Sequence, residues 1–405
     1  MNPIFRSSGY RLLLGSAIAS AVGGSISGIS ITWLVYHYTG STIDVAYVGL
    51  TGVLPGITLG LFAGVLADRY NRRRLMVTAD LVRMVAMAAL AAVLYFGGFS
   101  LFLVLAVMAL VYSFSALFLP ASQAILPRLV PASHLEDANG VLAASSQAGL
   151  TLGAGAGGLL VVSVGAVAGL SVNAVTFALS GALLFLIAVE AGRSRATTAR
   201  PRTTLRSDFN EGLRYMRTHL PILEVTIGFL PGNFFFVMVY AFFVVYASAV
   251  FGGDAAAFGY LVAGVAGGTA AGSLLVRPLH GRRFAGILMG ASVVIQSGVV
   301  GVLVVSRNLP LSLAAAVGLG ITIGLINTVY FAMMQAIVPN EVLARVLSID
   351  SVGSLVATPA GLLIGGLLAA QLGILLTYSL VAVGLLANGV LLLALKGVRS
   401  LRYGD

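Results

Sequence analysis

The sequence predicts an all-α membrane protein with twelve transmembrane helices, arranged as two parallel repeats of six helices each. Three observations support this fold class: an apolar composition, the placement of the basic residues, and a pentapeptide that recurs half a chain length later. Of the 405 residues, 59% are hydrophobic and only 9% are charged, whereas soluble domains carry about 25% charged residues. Because about 20 apolar residues cross a bilayer, the chain accommodates twelve crossings and no sizeable extramembrane domain.

Apolar segments between polar breaks define the predicted helices, whose frequent glycines suit membrane helices. We expect an N-terminal six-helix bundle over 1–190, a cytoplasmic linker with an amphipathic helix over 191–220, and a C-terminal six-helix bundle over 221–405. The twelve segments, with boundaries set to within about four residues, are 12–36, 44–66, 75–96, 101–122, 139–164, 169–190, 221–248, 256–277, 284–305, 310–334, 346–369 and 374–395.

The basic residues support both the helix count and the orientation. With both termini in the cytoplasm, 21 of the 23 Lys and Arg residues fall in cytoplasmic segments, as the positive-inside rule requires. The net charge of +10 is explained by loops that face anionic lipid, so it indicates no nucleic-acid partner. We therefore expect a multi-pass protein of the inner or plasma membrane.

A recurring pentapeptide indicates an internal repeat. "QAILP" at 123–127 and "QAIVP" at 335–339 lie 212 residues apart, at the inner ends of the fourth and tenth helices. The same offset relates Gly149 to Gly361 and Gly153 to Gly365 in the following helices. Two six-helix halves in the same orientation can rock about a central site and open it to either side.

The loop between helices 2 and 3, "GVLADRYNRRRLM" at 64–76, resembles the signature Gly-x-x-x-Asp-Arg-x-Gly-Arg-Arg of the major facilitator superfamily. Asn71 replaces the second glycine, and asparagine tolerates left-handed backbone better than most residues. The resemblance implies the major facilitator fold and a loop that locks the two halves on the cytoplasmic side. A topogenic arginine cluster and, for the glutamines, backbone capping are the alternatives. The predicted cytoplasmic gate comprises Gly64, Asp68, Arg69, Arg72, Arg73, Gln123, Gln335 and Arg345.

Helix 5 contains "GLTLGAGAGG" at 149–158, which resembles the antiporter signature Gly-x-x-x-Gly-Pro-x-x-Gly-Gly, with Ala154 in place of the proline. Small residues four apart let helices approach closely, and the resemblance implies efflux rather than uptake. Ordinary close packing is the alternative. The predicted helix-packing glycines are Gly149, Gly153, Gly157, Gly158, Gly361 and Gly365.

The linker sequence "DFNEGLRYMRTHLPIL" at 208–223 resembles the segment before helix 7 in the drug and siderophore efflux branch, which includes macrolide-efflux and enterobactin-exporter proteins. Apolar residues recur there at helical spacing, with arginines off the apolar stripe. That pattern predicts an amphipathic helix in the cytoplasmic membrane interface.

Four ionisable residues that lie about one turn or more inside predicted membrane helices are functional candidates. Placing a charged side chain in the hydrocarbon costs about 2.5–3.5 kcal/mol or more, so such residues are retained where they have a role. Asp80 and Arg83 are three residues apart on one face of helix 3, and we expect a structural pair or part of the inner gate. Proton coupling through Asp80 is the alternative. Glu224 and Asp350 lie about one turn inside helices 7 and 11. We expect each to be an interface residue, and a proton site is the alternative. The centre of the membrane contains no charged residue, which argues against strongly charged substrates.

The resemblance implies that helices 1, 4, 7 and 10 line a substrate cavity. Their mid-depth amides, hydroxyls and aromatic rings suit an amphipathic or lipophilic solute, although each residue alone could serve helix–helix hydrogen bonding. Asn233 is the leading candidate because the adjacent Pro231 and Gly232 interrupt backbone hydrogen bonds. The predicted cavity residues are Ser27, Ser30, Tyr112, Ser115, Asn233, Asn327 and Tyr330.

The residue inventory predicts a transporter that uses no cofactor or metal. The chain has no cysteine and four histidines without metal-ligand spacing, and no nucleophile–base pair indicates an enzyme. The resemblance implies a secondary active transporter, acting as a monomer, that exports a hydrophobic or amphipathic small molecule by alternating access, with protons as the candidate coupling ion. Uptake of a neutral metabolite, lipid translocation and a non-transporting receptor are the alternatives.

Overall fold

A computed structural model of the chain describes residues 3–187, 205–275 and 285–400. The described chain is helical from end to end, without a strand, which confirms the all-α fold class. The helices are α1 (Ser8–Thr39), α2 (Thr42–Arg69), α3 (Arg72–Tyr95), α4 (Leu101–Ile125), α5 (Leu135–Ser163), α6 (Ala166–Phe185), α7 (Leu205–Thr218), α8 (Leu220–Tyr240), α9 (Phe243–Phe251), α10 (Ala255–Leu275), α11 (Ala285–Val305), α12 (Leu309–Ile337), α13 (Asn340–Leu372), α14 (Ile374–Ala394) and α15 (Lys396–Ser400).

Within the described ranges, eleven helices are long and apolar enough to cross a membrane. The helix at the remaining predicted span, α5, has 29 residues and is therefore long enough, but its many glycines, alanines and polar residues lower its hydropathy. The predicted helix over 221–248 is interrupted, since α8 ends at Tyr240 and α9 begins at Phe243. Phe242 at the interruption and the first five residues of α9 are all buried.

Local capping explains where several helices begin. Ser7 accepts a hydrogen bond from the Tyr10 amide and caps α1, and Asn71 accepts one from the Arg74 amide and caps α3. Asn71 has φ −66° and ψ 114°, so the expected left-handed backbone is not used. Asparagine replaces glycine there because its side chain satisfies an amide at the start of α3.

The chain divides into two compact units. The N-terminal unit comprises Met1–Arg193 with Gly253–Ala263, and the C-terminal unit comprises Ser194–Gly252 with Gly264–Asp405. In the N-terminal unit α1 packs on α5 and α6, and α3 packs on α4 and α6. In the C-terminal unit α11 packs on α12 and α14, while α8 packs on α13 and α14.

Glycine contacts are equivalent in the two units. A Cβ on Gly153 of α5 would lie 2.5 Å from the Val22 carbonyl oxygen of α1, so the two backbones touch. In the C-terminal unit, a Cβ on Gly361 of α13 would lie 2.7 Å from the Phe234 carbonyl oxygen of α8. The 212-residue offset pairs Gly149 with Gly361 and Gly153 with Gly365, and all four glycines face the first helix of their half, α1 or α8.

The remaining predicted packing glycines also face neighbouring helices. Cβ atoms on Gly149 and Gly157 would lie 3.1 Å from the Ala21 side chain and 2.9 Å from the Ile26 backbone, both on α1. A Cβ on Gly365 would lie 2.8 Å from the Phe242 ring. Gly158 instead meets the backbone of Gly259, within the N-terminal unit.

We expect Gly153→Ala to destabilise the protein by about 1–3 kcal/mol, because the added methyl overpacks the α1–α5 contact. Gly140→Ala is the matched control on the same helix, because a Cβ there meets nothing within 4 Å. Thermal unfolding in detergent measures both variants. Equal stability of the two variants would contradict the close backbone contact.

Candidate functional site

The N-terminal unit contains a buried ion pair on α3. Arg83 donates to Asp80 Oδ1 one turn earlier, and the two side chains are 3% and 0% exposed. Asp80 Oδ2 accepts a 2.6 Å hydrogen bond from the Ser180 hydroxyl of α6. Ser20 of α1 donates in turn to Ser180, at 3.1 Å. The carboxylate is therefore fully paired within the protein.

The Arg83 guanidinium has further partners on two other helices. Its Nη1 donates to the Ser115 hydroxyl of α4 at 3.1 Å, and its Cζ lies 4.4 Å from the centroid of the Phe177 ring of α6. Cation–π contact and hydrogen bonds replace the water that the guanidinium has lost. The pair thus links α1, α3, α4 and α6, which favours a structural role over a proton site.

Other predicted cavity residues of the N-terminal unit contact neighbouring helices. The Ser27 hydroxyl accepts a 2.7 Å hydrogen bond from Asn173 of α6, and the Ser30 hydroxyl donates to the Ile26 carbonyl at 2.9 Å. Tyr112 is half-buried, and a Cβ on Gly52 of α2 would lie 3.5 Å from its ring. Sequence reasoning missed Asn173, whose only signal is an amide in the middle of an apolar helix.

In the C-terminal unit, the predicted cavity residues Asn233 and Asn327 are exposed, that is, not covered by protein. Asn233 Nδ2 donates to the Ser354 hydroxyl of α13 at 3.0 Å, which leaves its carbonyl oxygen available. Tyr330 is 7% exposed and stacks at a tilt against Phe229 of α8, with ring centroids 6.0 Å apart.

Three side chains from three helices form what we term the C-terminal polar cluster. The Tyr330 hydroxyl of α12 faces the Thr226 hydroxyl of α8 and the Asp350 carboxylate of α13. Both hydroxyls are buried without a hydrogen-bond partner, which costs roughly 1–3 kcal/mol for each group. Asp350 itself is half-buried.

Glu224 and Arg345, by contrast, are engaged in packing within the C-terminal unit. Glu224 Oε2 accepts a 2.8 Å hydrogen bond from the Gly397 amide in the first turn of α15. Arg345 Nη1 donates to Glu211 Oε1 of the linker helix α7 at 2.6 Å. A Cβ on Gly212 would lie 3.1 Å from the Arg345 backbone, so α7 packs closely on α13.

Of the predicted gate residues, several have described side chains. Arg73 Nη1 donates to the Ile187 carbonyl beyond the end of α6 at 2.9 Å, and the Arg72 Nε is buried without a partner. Gln123 and Gln335 are exposed near the ends of α4 and α12. The surroundings of Gly64 and the side chains of Asp68 and Arg69 are not among the features that the structure describes.

We expect Asp80→Ala to destabilise the protein by about 3–5 kcal/mol, because it leaves the Arg83 charge buried and unpaired. The double variant Asp80→Leu with Arg83→Met should be closer to wild type, since replacing both partners by apolar groups is often neutral. Asp137→Ala, at an exposed acid, is the control. Thermal unfolding in detergent gives the comparison, and a double variant less stable than Asp80→Ala would refute the structural role.

Comparisons with known proteins agree along the whole chain. The family model described as "Transmembrane secretion effector" matches residues 2–401. The major-facilitator-type transporter YfiS of Bacillus subtilis is 26% identical over 419 residues, covering 99% of this chain and 97% of its own. The multidrug efflux pump Tap of Mycolicibacterium fortuitum is 25% identical over 402 residues, with 96% of each chain covered. Macrolide efflux protein A of Streptococcus pyogenes is 22% identical, with 90% of each covered.

A solved structure shows the same fold. The crystal structure of a bacterial homologue of the human lysosomal transporter Spinster has a TM-score of 0.68 to this chain at 16% identity, covering 98% of this chain and 99% of the other. Eleven apolar helices of spanning length within the described residues agree with a multi-pass membrane protein, and the named relatives and the solved structure are transporters rather than enzymes. The chain belongs to the transmembrane secretion effector family of major facilitator transporters.

Proposed function

We propose that this transporter exports a hydrophobic or amphipathic small molecule by alternating access, driven by proton entry. The observation that carries the direction is the similarity to an efflux pump over 96% of both chains. We place the transporter in the plasma membrane as a monomer with both termini in the cytoplasm, because that orientation puts 21 of 23 basic residues on the cytoplasmic side.

The substrate class follows from the exposed polar groups. Asn233 and Asn327 of the C-terminal unit are uncharged amides that protein does not cover, and the half-buried Tyr112 offers a phenol. The charges of Asp80 and Arg83, in contrast, neutralise each other. Amides and aromatic groups in an apolar setting suit a lipophilic solute with a few hydrogen-bonding groups, and the central parts of the predicted spans carry no charged residue that would favour a strongly ionic one.

For the cytoplasmic gate, we propose that Asp68 and the arginines after it hold the outward-open state. A carboxylate at the edge of one bundle can bind the positive N-terminal end of a helix. Since Arg345 is bound to Glu211, a helix N-terminus is the more suitable partner for Asp68 than that guanidinium. Gln123 and Gln335 are proposed as rim residues of the same gate.

Reconstitution into liposomes tests the export proposal, with Nile red as a neutral lipophilic probe and erythromycin as a macrolide. An imposed proton gradient should drive either probe against its concentration gradient, and dissipating the gradient should stop it. Liposomes without protein are the control. Transport in the import direction, or movement of fluorescent phospholipid between leaflets in place of either probe, would support the alternatives.

Asp68→Asn should give a folded protein that transports slowly and favours the inward-open state, because the carboxylate no longer binds its partner. The chain lacks cysteine, so a single Gln335→Cys reports cytoplasmic accessibility without background labelling. We expect faster labelling of that cysteine in Asp68→Asn, while Asp137→Asn, at an exposed acid, should label like wild type. Wild-type transport by Asp68→Asn would exclude the gate role.

A further inference from the structure

The acidic residues whose side chains the structure describes differ in what neutralises them. Asp80 is paired with Arg83, and Glu211 is paired with Arg345. Glu224 accepts a backbone amide at 2.8 Å. Among the acids described in the membrane helices of the C-terminal unit, Asp350 differs from Glu224 in that its recorded neighbour is a side-chain hydroxyl, that of Tyr330.

We propose that Asp350 is the residue that binds and releases the coupling proton, with the neighbouring hydroxyl of Tyr330, which lies beside that of Thr226, as the group that can hydrogen-bond to it. This inference rests on the proposed export function. The proton adds to a carboxylate oxygen to give a neutral carboxylic acid, and its release restores the carboxylate; no other bond changes. The Asp80 carboxylate is paired with a cation, Arg83, whereas no cation is paired with Asp350 among the residues that the structure describes.

The unpaired hydroxyls of Thr226 and Tyr330 give the C-terminal polar cluster groups that can hydrogen-bond in either protonation state of Asp350. An ionised carboxylate only accepts hydrogen bonds, whereas a protonated one also donates. The hydroxyls of Thr226 and Tyr330 are buried without partners, and hydroxyl groups can donate to the ionised form and accept from the protonated form. Buried polar groups without partners require an explanation, and a site whose proton changes during the transport cycle supplies one.

Charged and titratable groups on the neighbouring helices do not offer an alternative partner for Asp350. Helix α13 packs on α7, α8, α12 and α14. On α7, Glu211 is paired with Arg345 of α13, and Arg214 and Arg217 are exposed. On α8, Glu224 accepts from α15. On α14, the Tyr378 hydroxyl donates to the Val239 carbonyl at 2.7 Å.

That leaves Tyr330 of α12, which is the titratable group that interacts with Asp350 among the described residues. Proton binding is favoured over sodium binding, because one carboxylate and two hydroxyls are few oxygens for a bare cation. The carbonyls of α12 and α13 around these residues lie within continuous helix and are therefore occupied by backbone hydrogen bonds.

Asp350 lies close to the proposed substrate site. Asp350 lies five residues beyond Arg345, where the apolar span of α13 begins, and is thus about 7–8 Å along the helix. Ser354 lies one turn further on the same face, and its hydroxyl accepts from Asn233 at 3.0 Å. The cluster thus joins α8, α12 and α13 one helical turn from a side chain proposed to contact substrate.

Infrared difference spectroscopy tests proton binding without a substrate. Titration of the wild-type protein should show, among the C=O bands of its 13 acidic residues, one carboxylic-acid band from Asp350 that appears at its own midpoint as pH falls. The band should be absent in Asp350→Asn and retained in Glu224→Gln, the comparator in the same unit, and Tyr330→Phe should shift its midpoint. A band that persists unchanged in Asp350→Asn would overturn the proposal, even if the protein exports both probes.

Transport in liposomes separates this inference from the proposed function. With erythromycin as the probe, Asp350→Asn should lose at least tenfold in proton-driven export while retaining erythromycin exchange at equal pH, since exchange needs no net proton movement. Asp254→Asn, an acid that caps α10 by accepting from the Ala256 amide, should respond like wild type.

The other outcomes of this experiment also discriminate. Proton-driven export of wild-type magnitude in Asp350→Asn refutes Asp350 as the coupling residue and leaves export standing. Export driven by a sodium gradient and not by protons refutes the proton site. A wild-type protein that moves neither probe refutes the proposed function, while the infrared band still decides the proton site. If Asp350→Asn does not fold, Asp350→Glu, with a shifted pH midpoint for export, gives the test.

Discussion

Hydrocarbon offers a polar group no water, so a charge inside this protein is stabilised by other polar groups of the protein. The Asp80–Arg83 pair shows how far this constraint reaches. Its two side chains need Ser180 and Ser115 as hydrogen-bond partners, and these come from α6 and α4. Because an unpaired buried charge is so costly, the pair fixes how the helices of the N-terminal unit sit against each other.

Close contacts between helix backbones are a second consequence of the lipid environment. Without a hydrophobic effect between helices in lipid, van der Waals contact between backbones must hold them together. Gly153 against Val22 and Gly361 against Phe234 supply it in α1–α5 and α8–α13, the corresponding helix pairs of the two units. Substitution at such a place would displace backbone atoms, which are less adaptable than the end of a side chain. The repeat is thus a repeat of contacts that glycine alone allows.

The C-terminal unit satisfies its polar groups less completely. Glu224 and Arg345 have partners within the unit, whereas the hydroxyls of Thr226 and Tyr330 have none. An unpaired polar group lowers stability, and functional sites are where such losses are expected. This contrast with the fully paired N-terminal pair is the physical basis for assigning a structural role to Asp80 and a proton-binding role to Asp350.

The sequence alone determined the helical membrane fold, because apolar length and the sidedness of basic residues are properties of segments. It also predicted which residues are charged inside the membrane, and it related Gly153 to Gly365 by a fixed offset. Only the tertiary structure decided partners: that Arg345 binds Glu211, that Ser115 accepts from Arg83, that Asn71 caps α3, and that Asp350 faces the Tyr330 hydroxyl. The partner of a side chain depends on which faces of helices distant in sequence meet. The hydrophobic periodicity of one helix does not indicate which other helix packs against it.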